Sequence, residues 1–207
     1  FKRGARGREG ARPIDVLVQA RKSSPYVLNQ LVPALQRVGL KVEVQNGWVD
    51  DLVELFNQST VYLYDSADYW RGRGVTEGFG LPPLEALACG CVVFSSLNHA
   101  LADHGDPCRT VHQIGCGRLE FDVERIQCAV RNPSQWRPQA DQLEADLARF
   151  TEPRLLESWR EALKHLDALD ALPGPPLVSP ATWRLRWRQR LKRLRRVVDR
   201  LPGWPAT

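Results

Sequence analysis

Between residue 13 and about residue 130, two hydrophobic periods alternate along the chain. "IDVLVQA" (14–20), "KVEVQ" (41–45), "TVYLYDS" (60–66) and "CVVFSS" (91–96) are short apolar runs rich in β-branched and aromatic residues, which predicts strands. Between them lie segments with helical spacing. "YVLNQLVPALQRVGL" predicts a helix with a kink at Pro33 and an end at Gly39, and "DDLVELFNQS" one carrying Leu52, Leu55 and Phe56 on its apolar side. "LPPLEALACG" predicts a third helix, and Asn46-Gly47 a turn. The strands are apolar on both faces, so they belong in a mostly parallel sheet covered by helices on both sides. That is an α/β, Rossmann-like open sheet.

Beyond this region, "RTVHQIG" reads as a short strand. "DVERIQCAVRN", "SQWRPQADQLEADLARF" and "TEPRLLESWREALKHLDAL" read as helices, the last with Leu155, Trp159, Leu163 and Leu166 on one stripe. "LPGPPLVSP" (172–180) is a Pro-rich linker. The pattern divides the chain into a basic flexible arm (1–12), an α/β domain (13–171), the linker and a tail helix (181–207).

Charge sharpens this division. The net charge is +5, but residues 179–207 carry nine Lys or Arg against one Asp, leaving 20 basic against 23 acidic residues in 1–178. A mildly acidic folded region argues against a nucleic-acid-binding core. The tail places Trp183, Trp187, Leu191, Leu194, Val198 and Leu201 on one side of a helix and arginines on the other. Such a basic amphipathic helix suits an anionic membrane surface; it equally suits packing against another domain, with nucleic acid the weaker option. No apolar run is long enough for a membrane span. Five cysteines, Cys89, Cys91, Cys108, Cys116 and Cys128, are odd in number and sparse, which favours buried thiols in a reducing cytosol over a disulfide framework. A zinc site from the first four fits the usual spacings badly. There is no methionine and the first residue is Phe1, so the chain reads as processed or as a piece of a longer protein.

The densest chemistry lies in "GVTEGFGLPPLEALACGCVVFSS" (74–96). In an open parallel sheet, ligands bind beyond the carboxyl ends of the strands. The loops "ARKSSP" and "YLYDS…EGFG" both follow strands and belong on that edge. Gly78 and Gly80 allow close backbone approach, and the first turn of the helix at Pro82 offers amides and a dipole to an anion. Glu77 and Glu85 flank this phosphate seat. Carboxylates there must face something neutral with donors, and vicinal hydroxyls meet that need. A ligand with a phosphate core and diols at both ends is a nucleotide-sugar, whose diphosphate Arg21 and Lys22 can neutralise. Taken singly, Glu85 reads as a solvated helix residue, the glycines as turn residues and the basic pair as a charged sheet edge. On one edge together they read as a site.

"EGFGLPPLEALACGCVVFSS" resembles the donor-binding signature of retaining GT-B glycosyltransferases, the group-1 type: a glutamate, seven residues, a second glutamate, with the glycines and a helix after. "LVELFNQSTVYLYDS" is similar to that group's lead-in, and the resemblance covers about residues 13–131, the carboxyl-terminal half of such an enzyme. It implies hexosyl transfer from a nucleotide-sugar to an acceptor with retention of configuration. Glu77, Arg21 and Lys22 would act in catalysis; Glu85 would hold the ribose, and Gly78, Phe79, Gly80 and Leu81 would line the donor site. The resemblance implies no cofactor and generally no metal. It also implies an amino-terminal partner domain supplying the acceptor site, and therefore weak donor binding and little transfer by residues 1–207 alone. Asn98, in the loop after "CVVFSS", is a further candidate donor contact. Tyr69 and Trp70 are candidates to stack on a base or acceptor, although loop aromatics more often pack locally, and Arg71 and Arg73 read as solvated surface. His99 and His104 lie near the site edge without forming a metal pair. The rival reading is a non-catalytic nucleotide-sugar-binding or docking module that attaches to membrane or a partner through its basic tail.

Overall fold

The computed structural model describes residues 12–96, 98, 100–107, 109–115 and 118–170, and in the tail Trp183, Arg186, Trp187, Arg190 and Leu191. By contacts the chain divides into two units, Phe1–Leu155 and Leu156–Thr207. Residues 1–11 of the predicted arm (1–12) and the linker (172–180) lie outside the described residues; Arg12, the arm's last residue, is held by the domain.

The first unit is built on five parallel strands: β1 (Ile14–Gln19), β2 (Val42–Gln45), β3 (Ser59–Tyr64), β4 (Val92–Ser95) and β5 (Val111–Gln113), in the order β2-β1-β3-β4-β5. After β1 a π-helical turn, Val27–Leu31, runs into α1 (Val32–Arg37). Pro33 explains the change of helix type. It has no N–H to give an α-helical bond, and the Val32 amide instead reaches back to the Val27 carbonyl. The kink expected at Pro33 is thus a π turn. Next come α2 (Leu52–Asn57), whose N-cap Asp51 accepts from the Glu54 amide, and two short helices, α3 (Ala67–Arg71) and α5 (Leu101–His104), on either side of α4 (Leu81–Ala88). The remaining helices are α6 (Leu119–Arg131), α7 (Pro133–Trp136), α8 (Ala140–Ala148) and α9 (Glu152–Asp170), which crosses into the second unit.

Strand alternation sorts the core into two layers. Val16, Val18, Val61, Leu63, Val92 and Phe94 face one way, against Val27, Leu31 and Leu35 and against Ile126 and Ala129 of α6. Leu17, Tyr62, Tyr64 and Val93 face the other way, against Phe56, Ala86, Leu87 and Leu101. Both faces of the inner strands β1, β3 and β4 are therefore covered, which is why they read as apolar runs; the edge strand β2, expected to be apolar on both faces, instead alternates, with Val42 and Val44 on the first layer and Glu43 exposed. The amino edge is tied by Arg12, whose guanidinium donates to the carbonyls of Phe56, Ser59 and Cys89.

Strand order fixes where a site can form. From β1 the chain moves outward to β2, then returns to the other side of β1 for β3. The loops after β1 and β3 therefore leave in opposite directions and open a crevice between them at the carboxyl edge. In the second unit, the described part of α9 exposes Leu156, Trp159, Leu163, Leu166 and Leu169. No helix among the described residues is long and apolar enough to cross a membrane.

Candidate functional site

The crevice between β1 and β3 is where Glu77 sits. Its side chain arrives from the β3–α4 connection and is 6% exposed. Oε2 accepts three hydrogen bonds, from Tyr64 Oη (2.7 Å), Ser66 Oγ (2.8 Å) and Trp70 Nε1 (2.7 Å). Oε1 faces Lys22 Nζ at 3.4 Å, from the loop after β1. Burial alone would raise the Glu77 pKa, but the bonds from Trp70, Tyr64 and Ser66 and the charge of Lys22 outweigh it and hold the carboxyl below its usual range. The Tyr64 hydroxyl shifts the other way, upward, through burial and through its bond to this carboxylate.

Lys22 adopts a left-handed backbone (φ 76°), and among the described residues it is the non-glycine with positive φ. That conformation is costly for a side chain with a Cβ. It turns the ammonium inward to Glu77 and 4.7 Å from the centre of the Trp70 ring. Arg21, one residue earlier, is exposed. Of the adjacent basic pair, Lys22 enters the crevice and Arg21 stays on its rim.

Glu85 lies one turn into α4 and is half-buried. Desolvation raises its pKa, and no hydrogen bond to its carboxylate is present among the described residues. The two glutamates therefore differ in kind: one is held as the carboxylate by four protein partners, the other is dehydrated and unspent.

Gly80 is the N-cap of α4 in the left-handed region (φ 75°), and a Cβ there would stand 2.2 Å from Leu101 Cδ2. Glycine is required on both counts. Gly78 has open space around its Cα. An α-helix leaves four backbone positions at its tip without internal acceptors, here Gly80 to Pro83. Two of them are prolines with no N–H, so the tip offers an anion the amides of Gly80 and Leu81 alone. The Phe79 carbonyl accepts from His104 Nε2 at 2.7 Å, and its ring packs on His104 and on Phe150. Leu81 is exposed. Asn98 Oδ1 accepts from Ser96 Oγ at 3.0 Å just beyond β4.

Tyr69 and Trp70 meet edge to face with centroids 4.9 Å apart, and Arg73 lies over Tyr69. Arg71 pairs with Asp68 on the surface. His99, Cys108 and Cys116 lie outside the described residues. Cys89 and Cys91 are buried, and burial pushes the Cys91 thiol up to about 12, whereas Cys128, which the sequence grouped with the buried thiols, is exposed on α6. Among the described residues no group of three His, Cys, Asp or Glu is placed to hold a metal. Sequence reasoning missed Tyr64 and Ser66 as partners of Glu77. Their i, i+2 spacing at the end of a strand, on one face, was the available signal.

Residues 36–103, which hold both glutamates and the glycines, match the family model described as glycosyl transferases group 1. No curated protein sequence matches the chain. Among solved structures, sucrose-phosphate synthase from Thermosynechococcus elongatus superposes with a TM-score of 0.60 at 16% identity, covering 82% of this chain and 50% of its own. A GtfA/B complex superposes with a TM-score of 0.45 at 16% identity, over 76% of this chain and 37% of that one. The chain shares the fold of the synthase and spans half of its length.

Proposed function

We propose that this chain is the donor-binding part of a retaining glycosyltransferase, one that moves a hexosyl group from a nucleotide-sugar to an acceptor. The observation that carries this reading is the pairing of a preorganised carboxylate, Glu77, with an unspent one, Glu85, on the carboxyl edge at the strand-order reversal. The group-1 match over the same residues supports it.

In this account Glu85 receives the ribose hydroxyls, which supply the donors its carboxylate lacks. Glu77 offers Oε1 to one hydroxyl of the transferred sugar, since Oε2 is already saturated. Arg21 and Lys22 oppose the diphosphate, with the Gly80 and Leu81 amides behind it and Gly78, Phe79 and Asn98 bordering the donor. The leaving phosphate takes the acceptor proton on the same face of the sugar, so the protein contributes position and charge stabilisation. An amino-terminal domain would supply the acceptor site, and no metal or cofactor takes part.

The test is a thermal-shift panel of UDP-, GDP- and ADP-sugars. A ligand present at about 100 times its Kd adds about 2.7 kcal/mol, which for a chain of this size is a rise of roughly 5–10 °C. One base class is expected to produce it. No shift with any of them would favour the docking module instead.

The tail supports an added proposal, that it rests on an anionic membrane surface. Trp183, Trp187 and Leu191, at i, i+4 and i+8, are helical and 60%, 59% and 48% exposed, with Arg186 and Arg190 beside them. The full chain is expected to float with vesicles containing phosphatidylserine, and a chain lacking residues 179–207 to stay behind. Equal flotation of both forms would remove this proposal.

A further inference from the structure

The loop between β3 and Glu77 does more than connect. Its short helix α3 delivers Trp70 to the crevice, where the indole N–H is 2.7 Å from Glu77 Oε2 and the ring face carries the Lys22 ammonium at 4.7 Å. The ring's neighbour on the loop, Tyr69, meets it edge to face. The indole is thus engaged through its N–H, through a face and by an aromatic neighbour, which leaves it poorly placed to stack on a base.

Its two polar engagements are complementary. An N–H bond to one carboxylate oxygen fixes the plane of that carboxylate, and a cation over the ring faces the other oxygen. Tyr64, the last residue of β3, and Ser66, the N-cap of α3, share Oε2 with Trp70. Of the residues that contact the carboxylate, Trp70 is the one that also contacts Lys22. We propose that Trp70 is a positioning residue that holds Glu77 and Lys22 in one arrangement, keeping Oε1 directed to the ligand and the ammonium beside it. This rests on the reading of the crevice as a nucleotide-sugar site and adds α3 to that site. The groups facing Glu77 are Lys22 from the β1 loop, Tyr64 from the end of β3, and Ser66 and Trp70 from the N-cap and body of α3. Glu85 of α4 is the other carboxylate whose charge acts on the same buried face, at Tyr62.

Two readouts test this, and the first needs no ligand. In protein labelled with 13C at the glutamate carboxyls, the Glu77 signal is assigned by its loss in Glu77→Gln and followed against pH. Trp70→Phe keeps the ring and removes the N–H. It is expected to raise the Glu77 midpoint by about one unit, a tenfold gain in proton affinity, while the circular dichroism spectrum stays native. The second readout compares affinities for a nucleotide-sugar and for its nucleoside diphosphate. Trp70→Phe is expected to weaken the first about tenfold and to leave the second within about twofold. An unmoved Glu77 midpoint, or equal losses for both ligands, would overturn the proposal. If no nucleotide-sugar binds the wild type, the donor reading fails, and the titration still decides whether Trp70 holds Glu77. Should Trp70→Phe not fold, Trp70→His, which keeps a ring N–H, is expected to restore both the fold and the low midpoint; failure of Trp70→His to lower the midpoint would count against the proposal.

Discussion

Replacing Glu77 with alanine is expected to cost the fold about 3–5 kcal/mol, the scale of stranding buried charged and polar partners, whereas Glu85→Ala is expected to change stability by less than about 1 kcal/mol. The asymmetry follows from their partners. Glu77→Ala leaves Tyr64, Ser66 and Trp70 without an acceptor, and Ser66 and Tyr64 are 0% and 2% exposed. Each orphaned buried donor costs about 1–3 kcal/mol, and Lys22 also loses its counter-charge. Glu85 has only dehydration to lose. Their pH dependences run in opposite senses. The Glu77 pKa is lowered on folding, so its stabilisation is present above its unfolded value and lost as pH falls through the depressed folded value. The Glu85 pKa is raised, so its contribution is most favourable below the unfolded value and is lost as pH rises through the folded one. Urea melts at pH 4 and pH 7 check both: the Glu77→Ala deficit is expected to shrink at pH 4, and equal deficits for the two variants at pH 7 would contradict the assignment. Donor binding, which on this account needs both carboxylates ionised, is expected to fall on acidification at the raised pKa of Glu85, before Glu77 titrates.

Gly80→Ala is expected to be the second most damaging change. Its Cβ would lie 2.2 Å from Leu101 Cδ2 and 3.5 Å from Glu77 Cγ, on a backbone with φ of 75°. The left-handed conformation costs an alanine about 1–2 kcal/mol and the overpacking about 1–3 kcal/mol. Leu101 is 2% exposed, so its branch has little room to yield. A double-mutant cycle separates the two causes. Leu101→Ala alone is expected to cost about 2–5 kcal/mol, but in that background Gly80→Ala is expected to retain only the backbone part, a coupling of about 1–3 kcal/mol. Gly78→Ala, with nothing within 4 Å of its Cβ position, is expected to stay within about 0.5 kcal/mol. Additivity of the Gly80 and Leu101 changes would show that the clash is relieved elsewhere.

Much of the scaffold was legible because burial on both faces writes long apolar strands. β1, β3, β4 and α4 fall where the pattern placed them, and Gly39 ends the helix after β1 with φ of 87°. The short elements were not legible. α3 sits among Gly72, Gly74, Arg71 and Arg73, with too few apolar residues to show a period, and α5 is a single turn. "SQWRPQADQLEADLARF" read as one helix and forms two, α7 and α8, because Pro138 lacks the N–H that would continue the first. In the site, the position of the two glutamates on the carboxyl edge followed from the strand–loop–helix pattern. That one is saturated by its own protein and the other is not was only partly legible: the spacing of Tyr64 and Ser66 hinted at it, but the hydrogen bond from Trp70 depends on a loop path that no periodicity encodes. Likewise the spacing of Arg21 and Lys22 showed two cations, while the left-handed backbone at Lys22 decided which of them turns inward.

The most direct test of the central claim is calorimetric titration of the best nucleotide-sugar from the thermal panel into wild type and Glu85→Ala. The account predicts that the variant keeps its native melting temperature and loses at least tenfold in affinity, because its only change is the carboxylate that the ribose would occupy. Unchanged affinity in a folded Glu85→Ala protein would contradict the claim that the crevice beside α4 holds the donor.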